Sequence, residues 1–429
     1  MRSRNPAVRV AKKAEDARTR PMNVEIRPPQ GRTARFTKKR DAIIAVATEI
    51  MNEVGIGGMT FSDVADRVGL NAPSVTYYFK RKEKLAETVL NRGLDSLATH
   101  AQVAAKQSTP EARAELFLRL ELEGLAKAQS GEAQKRAHIG ELRALAEPMG
   151  SRLNRRYVDI FRFVRGFFGP DSSPSARTAN IVSAHVLLDN IFALPNWLRF
   201  YSCVDYPRVC DRMMDIFRVG LAPVGHQWQS RPLGPDVLSA SGDKGQDAFL
   251  RSATKLINQR GYRGASVDRI ASEVQVTKGS FYHHNETKDD LVLDCFDRSY
   301  ARITNVQLAS MNQPGPNSDR LLSALEHLFE IQFLGEEPFL RTASLQLLPS
   351  EIKGKALEKS ARITRRFTNL VIDGITDGSI RAVDPLIAGQ MIIVAINTAR
   401  DLHHWSNPRF GIEAVPLLEK SLTKGIFHS

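Results

Sequence analysis

Residues 277–291 read TKGSFYHHNETKDDL, where two adjacent histidines stand beside a tyrosine, two lysines and three acids. Imidazole, phenol and carboxylate are the groups that ligate metals or shuttle protons, so the cluster raises metal or acid–base chemistry. A second pair, His403-His404, lies near the end of DPLIAGQMIIVAINTARDLHHWS (384–406). Neighbouring helical residues point about 100° apart, which makes an adjacent pair a poor chelate for one ion. No carboxylate stands at i+4 from that pair either. The sequence holds no Walker-type phosphate loop, no H-E-x-x-H, no G-x-S-x-G and no acid pair spaced for catalysis. Cys203, Cys210 and Cys295 make neither a disulfide framework nor a C-x-x-C site, which suits a reducing cytoplasm. The expectation is therefore no enzyme, no metal and no cofactor, and the histidines need another reading.

That reading comes from the elements around them. Residues 41–85 and 247–291 align without a gap at an offset of 206, with 12 of 45 positions identical. The identities are Asp41, Ala42, Ala47, Thr48, Asn52, Gly55, Gly58, Ala65, Val68, Ser74, Lys82 and Leu85, each with its counterpart. Register held this long marks an internal duplication. The cluster TKGSFYHHNETKDDL is then the second copy of NAPSVTYYFKRKEKL, and His283 and His284 fall where the first copy has Tyr77 and Tyr78.

One copy reads as a chain of short helices. Ile43, Ala47, Ile50, Met51 and Val54 fall on one helical face, and Gly55 supplies a stop. Thr60 with Asp63 three residues on forms a capping box for a short helix whose inner face is Phe61, Val64, Ala65 and Val68. Gly69 gives a tight turn, Asn71 caps a third helix over about 72–79, and Pro73 sits in its first turn, where a missing N–H does no harm. KRKEKLAETVLNRGLDSL then opens a longer fourth helix. A helix, a short helix, a glycine turn and another short helix make a helix-turn-helix, whose last member enters the DNA major groove.

Both copies resemble the DNA-binding domain of the TetR/AcrR family of bacterial transcription regulators, whose hallmark runs G-[VIL]-[ST]-x-[GP]-[ST]-[LIF]-Y-x-H-F-x-x-K-[ED]-x-L. Gly69, Leu70, Pro73, Ser74, Phe79, Lys82, Glu83 and Leu85 match in the first copy, and Val276, Thr277, Gly279, Ser280, Phe281, Tyr282, His284, Lys288, Asp289 and Leu291 in the second. Together the two regions cover about a quarter of the chain. There are departures. Thr76 stands where the family has a phosphate-contacting tyrosine, Gln275 replaces the turn glycine, and Asn285 replaces the phenylalanine that packs the recognition helix. A side chain at a left-handed turn position costs roughly 1 kcal/mol or more, which predicts a weaker second reader.

The expected DNA-contacting set follows from helix geometry. Ala72, Pro73 and Ser74, or Lys278, Gly279 and Ser280, approach base edges at the start of each recognition helix. Thr76, Tyr77 and Tyr78, or Tyr282, His283 and His284, lie on or beside its outward face, with Val75 and Phe281 turned to the core. Lys82 and Lys288 stand at the fourth helix's N-terminus, within reach of phosphate.

The rest of the chain frames these readers. Residues 1–40 hold 13 Lys/Arg against three acids, a net of +10 out of the chain's +13. With four prolines and no helical periodicity until its end, this stretch reads as a disordered basic arm that attracts polyanions, or as a solubilising tail. The predicted organisation is all-α: arm 1–35, first helix-turn-helix 36–92, first helical domain 93–221, linker 222–242, second helix-turn-helix 243–298 and second helical domain 299–429. Helices are predicted over 112–147, 150–168, 175–202 and 206–220, echoed at 318–334, 337–349, 355–378, 383–405 and 412–427. No apolar run is read as reaching the roughly 20 residues of a membrane span.

By the resemblance, each helical domain binds a ligand and dimerises through its last helices. A small hydrophobic effector is implied, with His185, Asn190, Phe192 and Phe163 as pocket candidates that equally suit an ordinary core. The implied function is a ligand-responsive repressor on a double-stranded DNA operator, located in the cytoplasm with the nucleoid. It would act as an intramolecular pseudo-dimer or a homodimer, with an alternative in which only the first helix-turn-helix reads DNA.

Overall fold

The computed structural model describes residues 34–137, 145, 147–234, 237, 244–264, 266–273, 287–334, 339–340, 350–405 and 411–427. The chain divides into two compact units, Met1–Ala42 and Ile43–Ser429, the second of which contains the body of both helical modules.

The described residues form two tandem all-helical modules. The first has α1 (Ala34–Gly58), α2 (Phe61–Val68), α3 (Ala72–Tyr78), α4 (Lys82–Ala104), α5 (Pro110–Gln129), α6 (Met149–Arg165), α7 (Pro174–Trp197) and α8 (Tyr206–Val219). The second has α9 (Lys244–Gly264), α10 (Val267–Glu273), α11 (Lys288–Met311), α12 (Asn317–Leu334), α13 (Ser350–Thr376), α14 (Pro385–Trp405) and α15 (Gly411–Lys424). Residues 274–286, which contain the second predicted recognition helix, lie outside the described residues.

Local signals act as expected in the first copy. Helical backbone breaks at Gly55, which takes φ 70° and ψ 169°. Ile43, Ala47, Ile50 and Met51 are buried, whereas Val54, one residue before the break, is 43% exposed. The Thr60 hydroxyl accepts from the Asp63 N–H (3.1 Å), and the Asp63 carboxylate accepts from the Thr60 N–H (3.2 Å). Gly69 is left-handed at φ 70°, and the Asn71 side chain accepts from the Ser74 N–H at 2.9 Å.

Two predicted helices are corrected. The helix expected over 112–147 ends at Gln129, because the chain turns through Gly131 at φ 81° and runs non-helically to residue 137. The helix expected over 337–349 does not include Phe339 and Leu340, which are non-helical, and the rest of that range lies outside the described residues. The stretch Pro174–Phe200 is long and apolar enough to cross a membrane by length and composition only. Its apolar window is 67% buried inside the protein, so it is a core helix here.

The first helix-turn-helix region, or head, is tied to the helical domain that follows it. Glu87, Asn91 and Asp95 line one face of α4 at i, i+4, i+8 and meet Arg152 and Arg156 of α6: Glu87 to Arg152 at 2.9 Å, Asn91 to Arg156 at 2.5 Å, and Asp95 to Arg156. Glu87 also takes the Lys84 ammonium at 2.9 Å. The Arg152 hydrogen bond holds the Glu87 carboxyl below the usual carboxylate range, against the opposing effect of burial.

The two helical domains pack through α7 and α8 on one side and α14 and α15 on the other. Backbone bonds there are reciprocal: the Leu221 N–H donates to the Leu422 carbonyl and the Ile426 N–H to the Phe217 carbonyl, both at 2.8 Å. An offset of 205 carries Phe217 onto Leu422 and Leu221 onto Ile426, so each bond is the other's copy. The two modules thus exchange the same backbone contact. Side chains add to it. Ser183 donates to the Ile426 carbonyl at 2.7 Å, Thr398 donates to Asp189 at 2.8 Å, and Arg381 binds the Gly220 carbonyl at 2.6 Å and the Asp215 carboxylate at 2.9 Å.

The predicted linker is less slack than its composition suggests. The Gln229 N–H donates to Asp319 and the Arg231 N–H to Ser323, both at 2.9 Å, while Gln313 donates to the Arg231 carbonyl at 3.2 Å. Residues 229–231 are thus pinned along α12 and the loop before it.

Candidate nucleic-acid interface

The first head presents α3 on a short, well-capped scaffold. Val75 is fully buried and Phe79 is 3% exposed, which fixes the inner face of α3. Tyr77 is 67% exposed on the opposite side, with Thr76 and Pro73 also exposed and Ala72, Ser74 and Tyr78 half-buried. The Tyr77 and Tyr78 rings meet edge to face at 5.3 Å. A rigid pair of phenols standing off a helix supplies apolar edge and hydroxyl together, as contacts to thymine methyls and sugar-phosphate require.

Two predicted contacts are already engaged within the protein. The Thr76 hydroxyl donates to the Ala72 carbonyl at 3.1 Å, one turn back on its own helix. Lys82, expected to reach phosphate, donates to the Gly57 carbonyl at 3.2 Å and so holds the end of α1. Sequence reasoning passed over Lys80 and Arg81, which are exposed just beyond α3. The signal that could have found them is the repeat itself. Residues 79–84 carry Lys80, Arg81, Lys82 and Lys84 against Glu83, net +3, whereas 285–290 carry Lys288 against Glu286, Asp289 and Asp290, net −2.

The helix that follows differs in the same sense. Arg81 is the N-cap of α4 and offers no side-chain cap bond. In the second copy Thr287 caps α11 in a complete box, accepting from the Asp290 N–H at 3.2 Å while Asp290 accepts from the Thr287 N–H at 3.0 Å. An N-cap of that kind is worth about 1 kcal/mol. The first copy therefore begins α4 without a side-chain cap beside four cations, whereas the second caps α11 with the Thr287 hydroxyl and the Asp290 carboxylate. Lys288 is half-buried at the start of α11. Lys278, Gly279, Ser280, Tyr282, His283 and His284 lie outside the described residues.

Arg67 braces α2 against α1 by two bonds to Glu53, at 3.0 and 2.6 Å. That hydrogen bonding holds the Glu53 carboxyl below its ordinary range. Replacing Asn71 with alanine removes the cap of α3 and is expected to lower stability by about 1 kcal/mol in chemical denaturation, with DNA affinity falling as the helix frays.

Of the effector-pocket candidates, His185 and Asn190 are buried and Phe163 and Phe192 half-buried. His185 is 1% exposed, its ring is 4.5 Å from that of Phe161, and its Nδ1 is 3.8 Å from the Asp189 carboxylate. Asn190 donates to the Val186 carbonyl at 2.8 Å, Phe192 meets Tyr157 at 5.9 Å, and Phe163 meets Phe167 at 6.2 Å. Among the described residues no group of three or more His, Cys, Asp or Glu is placed to hold a metal ion. All three cysteines are free, and burial pushes the Cys210 and Cys295 thiols up to about 12, far from a reactive thiolate.

Residues 43–89 and 249–295 each match the family described as bacterial regulatory proteins, tetR family. The chain is similar to the biofilm operon icaADBC HTH-type negative transcriptional regulator IcaR of Staphylococcus aureus, 30% identical over 114 residues, which are 25% of this chain and 58% of that protein. It is also similar to the uncharacterized HTH-type transcriptional regulator YuxN of Bacillus subtilis, 36% identical over 63 residues, 14% of this chain and 22% of that one. The chain thus spans just over half the length of the first relative and less of the second. A solved structure of AibR in complex with isovaleryl coenzyme A and operator DNA aligns at TM-score 0.37 and 19% identity, covering 42% of this chain and 98% of that one.

Proposed function

We propose, from the two tandem matches to the tetR family, that this chain is a DNA-binding transcriptional regulator that acts as a dimer folded within one polypeptide. The observation that carries it is the exposed face of α3, with Tyr77 67% open beside the cationic run of residues 80–84. The reciprocal α7–α8/α14–α15 interface supports the pseudo-dimer, since it occupies within one chain the surface that two chains would otherwise share. Repression is favoured by the likeness to IcaR, named as a negative regulator. Release requires an effector with unequal affinity for two placements of the heads, because equal affinity shifts nothing. A small hydrophobic molecule held in a helical domain is the proposed effector.

The heads have different duties in this reading. The cationic start of α4, which has no side-chain cap, anchors the first head on the phosphate backbone. The capped, acidic start of α11 weakens the second, which serves chiefly to pair and to sense. The alternative, two comparable readers on an asymmetric operator, draws on the differing sequences APSVTYY and KGSFYHH. Selection of full-length protein on random DNA tests both readings. One short motif supports a single reader, two unlike motifs support the pair, and no enrichment over bulk DNA defeats the proposal. Tyr77→Ala is expected to weaken binding to the selected site about tenfold without shifting the unfolding midpoint, as a side chain contributing only to base or backbone contacts should.

A further inference from the structure

The same asparagine closes the same contact in both modules. Asn52 Nδ2 donates to the Arg136 carbonyl and Asn258 Nδ2 to the Phe339 carbonyl, each at 2.9 Å. The asparagines are 206 residues apart, at identical positions of the repeat. Both acceptors lie in the non-helical segment just past the second helix of the helical domain, after α5 in one module and after α12 in the other.

Around this shared bond the two modules have diverged. The first segment is held by charge: the Arg136 guanidinium binds Glu121 at 2.9 Å and Ser96 at 3.1 Å. Glu121 is 5% exposed, and its second oxygen lies 2.8 Å from His100 Nδ1. The second segment is apolar, with Phe339 and Leu340 2% and 4% exposed, and it is tied by the Phe339 N–H to Gln332 at 3.2 Å and the Leu340 N–H to Ser299 at 2.9 Å. In each case the segment touches the two helices that begin the helical domain, α4 and α5 or α11 and α12. Its carbonyl is then taken by the first helix of the head.

From this recurrence we infer that Asn52 and Asn258 are positioning residues, which transmit the spacing of the helical domain to the head through a hydrogen bond to a strap. In the first module the strap is residues 130–137. A change in the separation of α4 and α5 moves Arg136 through Glu121 and Ser96, and Asn52 moves with its carbonyl. The displacement passes on to α2 through the Glu53–Arg67 brace, one residue along α1. Coupling needs such a contiguous physical link, and a side chain shared by two otherwise unlike straps supplies it. The inference rests on the first head being the DNA reader only for its consequence, not for its test.

The test is a double-mutant cycle on the full chain, read by amide hydrogen exchange without DNA. Asn52→Asp keeps the shape and removes the donor, and Arg136→Gln frees the strap from Glu121. Arg136→Gln is expected to speed exchange of the α1 amides over 43–54 about fivefold in the parent and to add nothing in the Asn52→Asp background. Effects that simply multiply, or an α1 indifferent to Arg136→Gln in the parent, overturn the inference. Should Asn52→Asp not fold, Asn52→Ala enters the same cycle. A second arm adds the selected DNA: by reciprocity, DNA slows exchange over 132–137 in the parent, and that protection is lost in Asn52→Asp. Equal protection in both overturns the inference. A parent chain that retains no DNA defeats the reading of the head and leaves the DNA-free cycle to judge the strap.

Discussion

Reversing Lys80 and Arg81 to glutamate lowers operator affinity by about two orders of magnitude near 0.1 M salt and reduces the salt slope by about two. The Lys288→Glu change leaves both within about twofold. Each phosphate neutralised by a cation releases condensed counterions, so the slope of log affinity against log salt reports how many phosphates the protein neutralises. Lys80 and Arg81 are exposed beside an α4 N-terminus that carries no side-chain cap. At the matching place in the second copy, Thr287 and Asp290 close the helix end, and Asp289 and Asp290 face incoming phosphate with like charge. Fluorescence anisotropy titrations at several salt concentrations read both quantities. An equal fall in slope from the two heads would restore the reading with two comparable readers.

Gly220→Ala and Gly425→Ala are expected to separate the modules. Gly220 adopts φ 68° and ψ −157°, a region essentially reserved for glycine. A Cβ there lands on the backbone of Thr423 and Lys424, which cannot rotate aside. At Gly425, with φ 89°, a Cβ stands 2.5 Å from the Phe217 carbonyl oxygen and 2.6 Å from that of Arg218. Backbone strain of about 1–3 kcal/mol adds to that collision and to the loss of the reciprocal bonds, so the total exceeds about 3 kcal/mol per site. Gly131→Ala is the control, because φ 81° imposes the strain while nothing lies within 4 Å of the new Cβ. Scanning calorimetry should show one transition for the parent and for Gly131→Ala, and a lowered or split transition for the two interface variants. A single unshifted transition in all four proteins would mean that the modules do not lean on this contact.

The two predictions bear on different levels of the molecule, and they divide what was legible in the sequence from what was not. The Gly55 break, the Thr60–Asp63 box, the Gly69 turn and the Asn71 cap were all readable, because each depends on residues within four positions of one another. The buried or exposed state of Val75 and Tyr77 followed from the same short-range periodicity. Duplication was legible too, since an ungapped offset of 206 needs no structure to be seen. Local pattern failed where distant chain intervened. The helix expected to continue to 147 stops at Gln129, and the strap beyond it docks through Arg136 onto Glu121, Ser96 and Asn52, the last 84 residues away.

Lys82, expected by position to reach phosphate, also donates to the Gly57 carbonyl, 25 residues back, a contact its position alone did not announce. The sequence by itself thus determined the caps of the first head, which side of α3 is buried, and the doubling of the chain. Only the tertiary structure decided which helices of the two modules meet, that Gly220 and Gly425 permit the approach, and that one asparagine in each copy grips a strap. Those features rest on contacts such as Thr398 with Asp189, 209 residues apart, where no local propensity carries information and packing alone selects the partner.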